Sequence, residues 1–216
     1  MRSHKLSGFS LAEMLIALSI VVLLSLLTVF ELRNANQKDE LRAAAAQLAA
    51  DIRSVQAQAL EAQNLKTCKP GTDQVVCENS TAACGASACQ DYIPAGYGIY
   101  VHSASSSYVI FADVNPAAQD YKYTNANEKI RERELLVGTS DKVEIQSIET
   151  YWPSMGVGPP WANISFVRQS GQAHIVDSMV PPQPEPYLVK ILIRHKVSGE
   201  SKYVEVNKIT GRVSIL

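Results

Sequence analysis

Hydrophobic and polar positions divide the chain into three regimes. Across positions 9–30 the only ionisable side chain is Glu13, an apolar run of the length that a bilayer-crossing helix needs. Beyond it the pattern narrows to a seam. Leu41, Ala45, Leu48, Ile52, Val55, Ala59 and Ala62 recur at alternating steps of four and three, which puts them on one face of a helix. No Gly or Pro interrupts residues 9–69, so both regimes are predicted to share one helix, ending near residues 64–66 ahead of Pro70-Gly71. Arg42, Asp51, Arg53, Gln56 and Gln58 fall off the seam and are expected in solvent or against other subunits. The small alanines on the seam suit close docking on a sheet of the chain's own domain better than a free coiled coil.

The third regime has a period of two. Residues 97–102 and 108–113 alternate around a Ser-rich turn, as a hairpin does. A polar excursion covers 113–129. Short strands are expected at 135–137 and 143–148, then a Pro- and Gly-rich connection at 153–160. Residues 164–167 and 173–177 flank Gln169-Ser170-Gly171, a second hairpin signal. After the Pro-rich break at 181–186, runs at 187–196, 202–207 and 212–216 are joined by Ser198-Gly199-Glu200 and Ile209-Thr210-Gly211. Strands following one long helix predict an α+β fold: a long N-terminal α-helix, half transmembrane and half amphipathic, packed on an antiparallel β-sheet domain. The expected sections are a leader at 1–8, the transmembrane half at 9–30, the amphipathic half at 31–66, a Cys-containing loop at 67–94 and a β-rich domain at 95–216.

Composition adds two constraints. At 216 residues there is room for the anchor and one modest core. Cys68, Cys77, Cys84 and Cys89 fall in one polar stretch that the topology places outside the cytoplasm, so two disulfides are expected, in any of three pairings. Their spacing contains no C-x-x-C pair, which argues against zinc. The formal net charge of −1 becomes about −3 if Arg2 and Lys5 leave with residues 1–8, and nothing global points to nucleic acid.

The leader has an unusual order. Arg2, His4 and Lys5 precede Gly8, and Gly8 precedes the apolar run, so cutting there would leave the apolar helix on the mature chain. Glu13 lies about 6 Å along the helix axis from Phe9 at ~1.5 Å rise per residue. An ionisable group in hydrocarbon costs roughly 2.5–3.5 kcal/mol and ordinarily has a partner. A new amino group on Phe9 of a neighbouring copy would supply one.

The stretch Gly8-Phe9-Ser10-Leu11-Ala12-Glu13 resembles the class III signal of type IV pilins and type II secretion pseudopilins. The resemblance implies cleavage between Gly8 and Phe9 by a prepilin peptidase, N-methylation of Phe9, and filament assembly through Phe9 and Glu13. It also implies an inner-membrane, single-pass subunit whose C-terminal domain is extracytoplasmic. Its partners would be other pilin or pseudopilin subunits, the prepilin peptidase, the assembly platform and the membrane, without a cofactor and without nucleic acid. The C-terminal part is also similar to the minor pseudopilin H and FimT group, through residues 53–59, Tyr97-Gly98-Ile99-Tyr100, Phe111-Ala112-Asp113-Val114-Asn115 and Thr210-Gly211-Arg212. The function implied is that of a minor pilin or pseudopilin, with a DNA-uptake or adhesive pilin as the alternative. A membrane-tethered enzyme stands behind both.

Other candidate chemistry is sparse. Asp113, Asn115, Asp120 and Glu128 gather oxygen ligands for calcium, but an EF-hand frame from Asp113 meets Ala118 in place of Gly and Thr124 in place of Glu. His174 and Asp177 are three apart on a strand and so face opposite ways. No G-x-S-x-G or Gly-rich phosphate loop is present, and a non-enzyme is expected. Lys190, Arg194, Lys196, Lys202, Lys208 and Arg212 face only Glu200 and Glu205, which reads as solvated strand faces before it reads as a DNA surface. Tyr151, Trp152 and Trp161 are expected to pack over the sheet.

Overall fold

The computed structural model describes residues 11–70, 74–77, 84, 88–114, 121–135, 142–152, 155–178 and 185–216. The chain forms two compact units, Met1–Asp39 and Glu40–Leu216. One helix, α1 (Leu11–Leu60), contributes to both.

In the first unit the apolar side chains of α1 stand exposed, including Leu15, Leu23, Leu27 and Phe30. Its hydroxyls are turned inward on the helix. Ser19 Oγ donates to the Leu15 carbonyl, Ser25 Oγ to that of Val21 at 2.8 Å, and Thr28 Oγ1 to that of Ser25 at 2.9 Å. Back-bonding of this kind leaves little polarity for the surroundings to satisfy, as an apolar medium requires. The helix is long and apolar enough to cross a membrane.

In the second unit α1 buries Leu41, Ala44, Ala45, Leu48, Ala49, Ile52, Val55 and Ala59. Ala62, the last residue of the expected seam, lies past the helix end with φ at 47°. The helix stops at Leu60, several residues earlier than the sequence suggests, and tertiary hydrogen bonds hold its last turn and the residues just past it. Gln169 N donates to the Ala59 carbonyl at 2.9 Å, and Tyr97 Oη to that of Gln63 at 2.7 Å.

The sheets are antiparallel throughout. One contains β4 (Gly96–His102), β5 (Ser107–Asp113), β6 (Lys129–Glu134), β9 (Trp161–Val167) and β10 (Ala173–Asp177), in the order β10-β9-β4-β5-β6. The other contains β7 (Val143–Trp152), β8 (Met155–Val157), β11 (Leu188–His195), β12 (Ser201–Asn207) and β13 (Val213–Ile215), in the order β13-β12-β11-β7-β8. A third, small sheet of β1 (Leu65–Cys68), β2 (Val75–Val76) and β3 (Gln90–Tyr92) occupies the Cys-containing stretch, which the sequence pattern alone reads as a loop. The α+β expectation therefore holds, with the strands shared among three sheets. Tyr97 pairs with Ala112 and Phe166, so the first expected hairpin sits at the centre of its sheet. Ala104 and Ser105 bond to Ile145, linking the two large sheets.

One core joins these elements. Ile99, Ile110, Ile164 and Phe166 from the first large sheet meet Ile145, Ile148, Ile191 and Val204 from the second, together with the buried face of α1. Of the strand expected at 135–137, only Leu135 lies among the described residues; just before it comes β6, whose sequence Lys-Ile-Arg-Glu-Arg-Glu carries no apolar alternation and which the sequence pattern does not predict. As an edge strand it is stabilised by backbone pairing to β5, and its charges deter pairing with other chains. Strand β8 falls inside the expected Pro- and Gly-rich connection.

Leu48 is fully buried at this junction. Leu48→Ala should lower unfolding free energy by about 2–5 kcal/mol in chemical denaturation of the full chain, while Ala57→Ser on the exposed side of the helix should stay within about 0.5 kcal/mol.

Candidate functional site

Glu13 lies on α1 among exposed apolar side chains, and it is the only ionisable residue of 11–30. Gly8 and Phe9 lie outside the described residues, as do Asn115 and Asp120. The first candidate site is thus the apolar stretch of α1 over residues 11–30, bearing one carboxylate close to its start.

Within the second unit, polar contacts fasten residues 40–60 of α1 to the strands. Tyr108 Oη donates to Asp51 Oδ2 at 2.6 Å, and Arg133 Nε stands 3.5 Å from the same oxygen. Burial, reinforced by the Asp51 carboxylate, pushes the Tyr108 phenol well above its usual range. Arg53 donates to the Val213 carbonyl at 2.8 Å. Asp51, half-buried, is therefore an intramolecular anchor, a correction to its expected place in solvent or against other subunits, whereas Arg53 is exposed as expected and also bonds to its own domain. Both flank the seam closely enough to reach the strands at its edge.

His195 is a further anchor that the sequence pattern does not single out. It is fully buried, and its Nε2 lies 3.0 Å from Glu40 Oε2 on α1. Its Nδ1 accepts the Ser198 backbone N–H at 3.1 Å, so Nε2 carries the proton that is donated to Glu40. That hydrogen bond, opposed by desolvation and helped by Lys142 Nζ at 3.4 Å, holds the Glu40 carboxyl below its usual range. Ser198 Oγ is also 3.2 Å from Nδ1, giving a hydroxyl, imidazole and carboxylate in series. The series closes a turn: the main-chain N–H occupies the lone pair that a general base would use, and Ser198 Oγ accepts the Glu200 N–H at 3.3 Å. The available signal was alternation, since His195 continues the inward set Val189, Ile191, Ile193.

The cysteines form two disulfides, Cys68–Cys84 and Cys77–Cys89, resolving the pairing that the sequence leaves open. Sγ atoms of Cys68, Cys77 and Cys84 cluster within 4.8 Å of one another. In disulfides they carry no thiolate for a metal. Buried Val75 packs with Cys68 and Cys84, giving the small sheet its own core.

Among the calcium candidates, Asp113 and Glu128 are both buried. Asp113 Oδ2 accepts the Tyr121 N–H at 3.1 Å, and Glu128 Oε2 accepts from Thr124 N at 2.7 Å and Thr124 Oγ1 at 2.9 Å. These bonds fold residues 121–128 back on the chain, as side chains do in turns. Burial, with the Asp113 charge, pushes the Glu128 carboxyl up. His174 stacks on Tyr121 at 4.9 Å and meets Glu185 at 2.8 Å, whereas buried Asp177 accepts from Thr150 Oγ1 at 2.7 Å. The two do not converge. Lys190 pairs with Glu205 at 3.5 Å, Lys208 with Glu185, and Lys196 with Glu144 at 3.9 Å, which spends part of the basic C-terminal charge inside the domain. Trp161, Tyr100 and Tyr123 adjoin one another, with ring centroids 6.1 and 5.3 Å apart.

Comparison with protein-family models, with curated proteins and with solved structures yields no match.

Three outcomes follow from these contacts. Proteolysis without reduction should release peptides joined as Cys68–Cys84 and Cys77–Cys89, read by mass spectrometry; any other joined pair contradicts the arrangement. Because the Glu40 carboxyl is lowered in the folded chain, its stabilisation is present above the ordinary carboxylate range and is lost as pH falls through the folded value. Glu40→Gln should therefore lower the urea midpoint at pH 7, and the gap from wild type should shrink near pH 3. His195→Ala should cost about 1.5–3 kcal/mol at pH 7, the scale of a hydrogen bond to a charged group.

Proposed function

We propose that this chain is a minor pilin or pseudopilin, a structural subunit that enters a type II secretion pseudopilus or type IV pilus through its N-terminal helix. The observation that carries the reading is the apolar, exposed stretch of α1 over residues 11–30, whose one carboxylate, Glu13, follows closely on a basic leader that ends at Gly8. A prepilin peptidase would cut after Gly8, and the new Phe9 amine would then be methylated. In the bilayer the helix holds the subunit ready, its hydroxyls bonded to its own backbone. During assembly the Phe9 amine of one subunit neutralises Glu13 of another, which repays the cost of carrying a carboxylate in an apolar setting. The work of extraction belongs to other proteins of the machine.

The antiparallel domain supports the same reading. Its polar anchors bind the lower helix to the sheets, so force applied to the helix is passed to the folded body. Disulfides fit an extracytoplasmic location for that body.

Glu13→Ala should leave membrane insertion and domain folding intact while abolishing incorporation into filaments, scored by co-purification with sheared filaments. Mass spectrometry of the native chain should find its start at methylated Phe9. Wild-type incorporation of Glu13→Ala, or a start elsewhere, would falsify the proposal.

A further inference from the structure

Within the small sheet the two disulfides touch. Cys77 Sγ lies 3.7 Å from Cys84 Sγ, to which it is not bonded, and Cys68 Sγ joins them in a cluster within 4.8 Å. The backbone brings these sulfurs together. Strands β1 and β2 pair with Cys68 opposite Val75, two residues before Cys77.

The bridges differ in their access to solvent. Cys68 and Cys84 are 2% and 5% exposed and pack with Val75, which shields their bond from an external thiol. Cys77 is half-buried and Cys89 is exposed, so the second bridge is open to attack at Cys89. In thiol–disulfide exchange a thiolate bonds one sulfur of a bridge and displaces the other as a thiolate. Attack at Cys89 therefore turns Cys77 Sγ into a nucleophile that already touches the buried bridge. Released from Cys89, it can rotate about its own Cα–Cβ bond into line with Cys68–Cys84.

We propose that this cluster is a thiol-exchange site, at which a small external thiol opens Cys77–Cys89 and Cys77 passes the exchange inward to Cys84. In the first step the external sulfur bonds Cys89 Sγ, and Cys77 leaves as a thiolate. In the second, Cys77 Sγ bonds Cys84 Sγ, and Cys68 leaves as a thiolate that takes up the proton lost by the external thiol. Two disulfides break and two form, so no oxidant or reductant is consumed. The exchange frees Cys68 of β1 and transfers Cys89, just before β3, to the external thiol, which loosens the small sheet. The larger core contains no cysteine among the described residues and stays folded. The site stands whether or not the chain enters a filament.

The test treats the full chain in phospholipid nanodiscs with reduced glutathione at about pH 8, where an ordinary thiol is partly ionised. The reaction is stopped with acidic N-ethylmaleimide and the chain digested without reduction. Mass spectrometry should find a first product with glutathione on Cys89, a Cys77–Cys84 cross-link and a blocked Cys68. Replacing both partners of the exposed bridge, Cys77→Ala with Cys89→Ala, should slow the opening of Cys68–Cys84 by about tenfold or more. A first product that keeps Cys68–Cys84, with glutathione or the blocking group on Cys77, would overturn the assignment, as would an unchanged opening rate in the double variant. The map of the wild-type product decides the matter even if the double variant does not fold.

Discussion

The globular unit depends on the burial of one narrow helix face against two sheets at once. Alanines at 44, 45, 49 and 59 bring the helix axis close, while Leu41, Leu48, Ile52 and Val55 fill the space between. Removing the helix face would open both inner surfaces to water, at about 25 cal/mol for each Å² exposed.

That constraint explains where the polar residues of the helix go. Burying one face places Asp51, Arg53 and Glu40 at its margins, where strands run within hydrogen-bonding reach. Each finds a buried or half-buried partner on a different strand, namely Tyr108, Val213 and His195. Such bonds contribute little net stability individually, but they fix the rotation of the helix, since a rotated helix would leave His195 and Tyr108 buried without partners. Apolar contact attracts the helix, and the polar margin sets its register.

The small sheet is held by a different means. Strands of two to four residues cannot bury enough surface to fold alone. Two disulfides restrict the unfolded chain and give Val75 a cluster to pack in. Among the described residues the stretch joins the larger core through Leu65, Val76 and Tyr92.

Periodicity carried much of this architecture. The apolar run, the seam from Leu41 to Ala59, and the hairpins around residues 103–106 and 168–172 were legible because a helix or a half-buried strand imposes its own repeat on the sequence. The lone Glu13 stood out in the sequence because charge is conspicuous in an apolar run. Other features had no local signature. Strand β6 is charged throughout and exists because β5 offers it an edge. The cysteine pairing was one of three that the sequence allows, and the Glu40–His195 contact joins groups 155 residues apart in the chain. Sequence sets which faces are apolar; only folding decides which distant polar groups are left to meet at their borders.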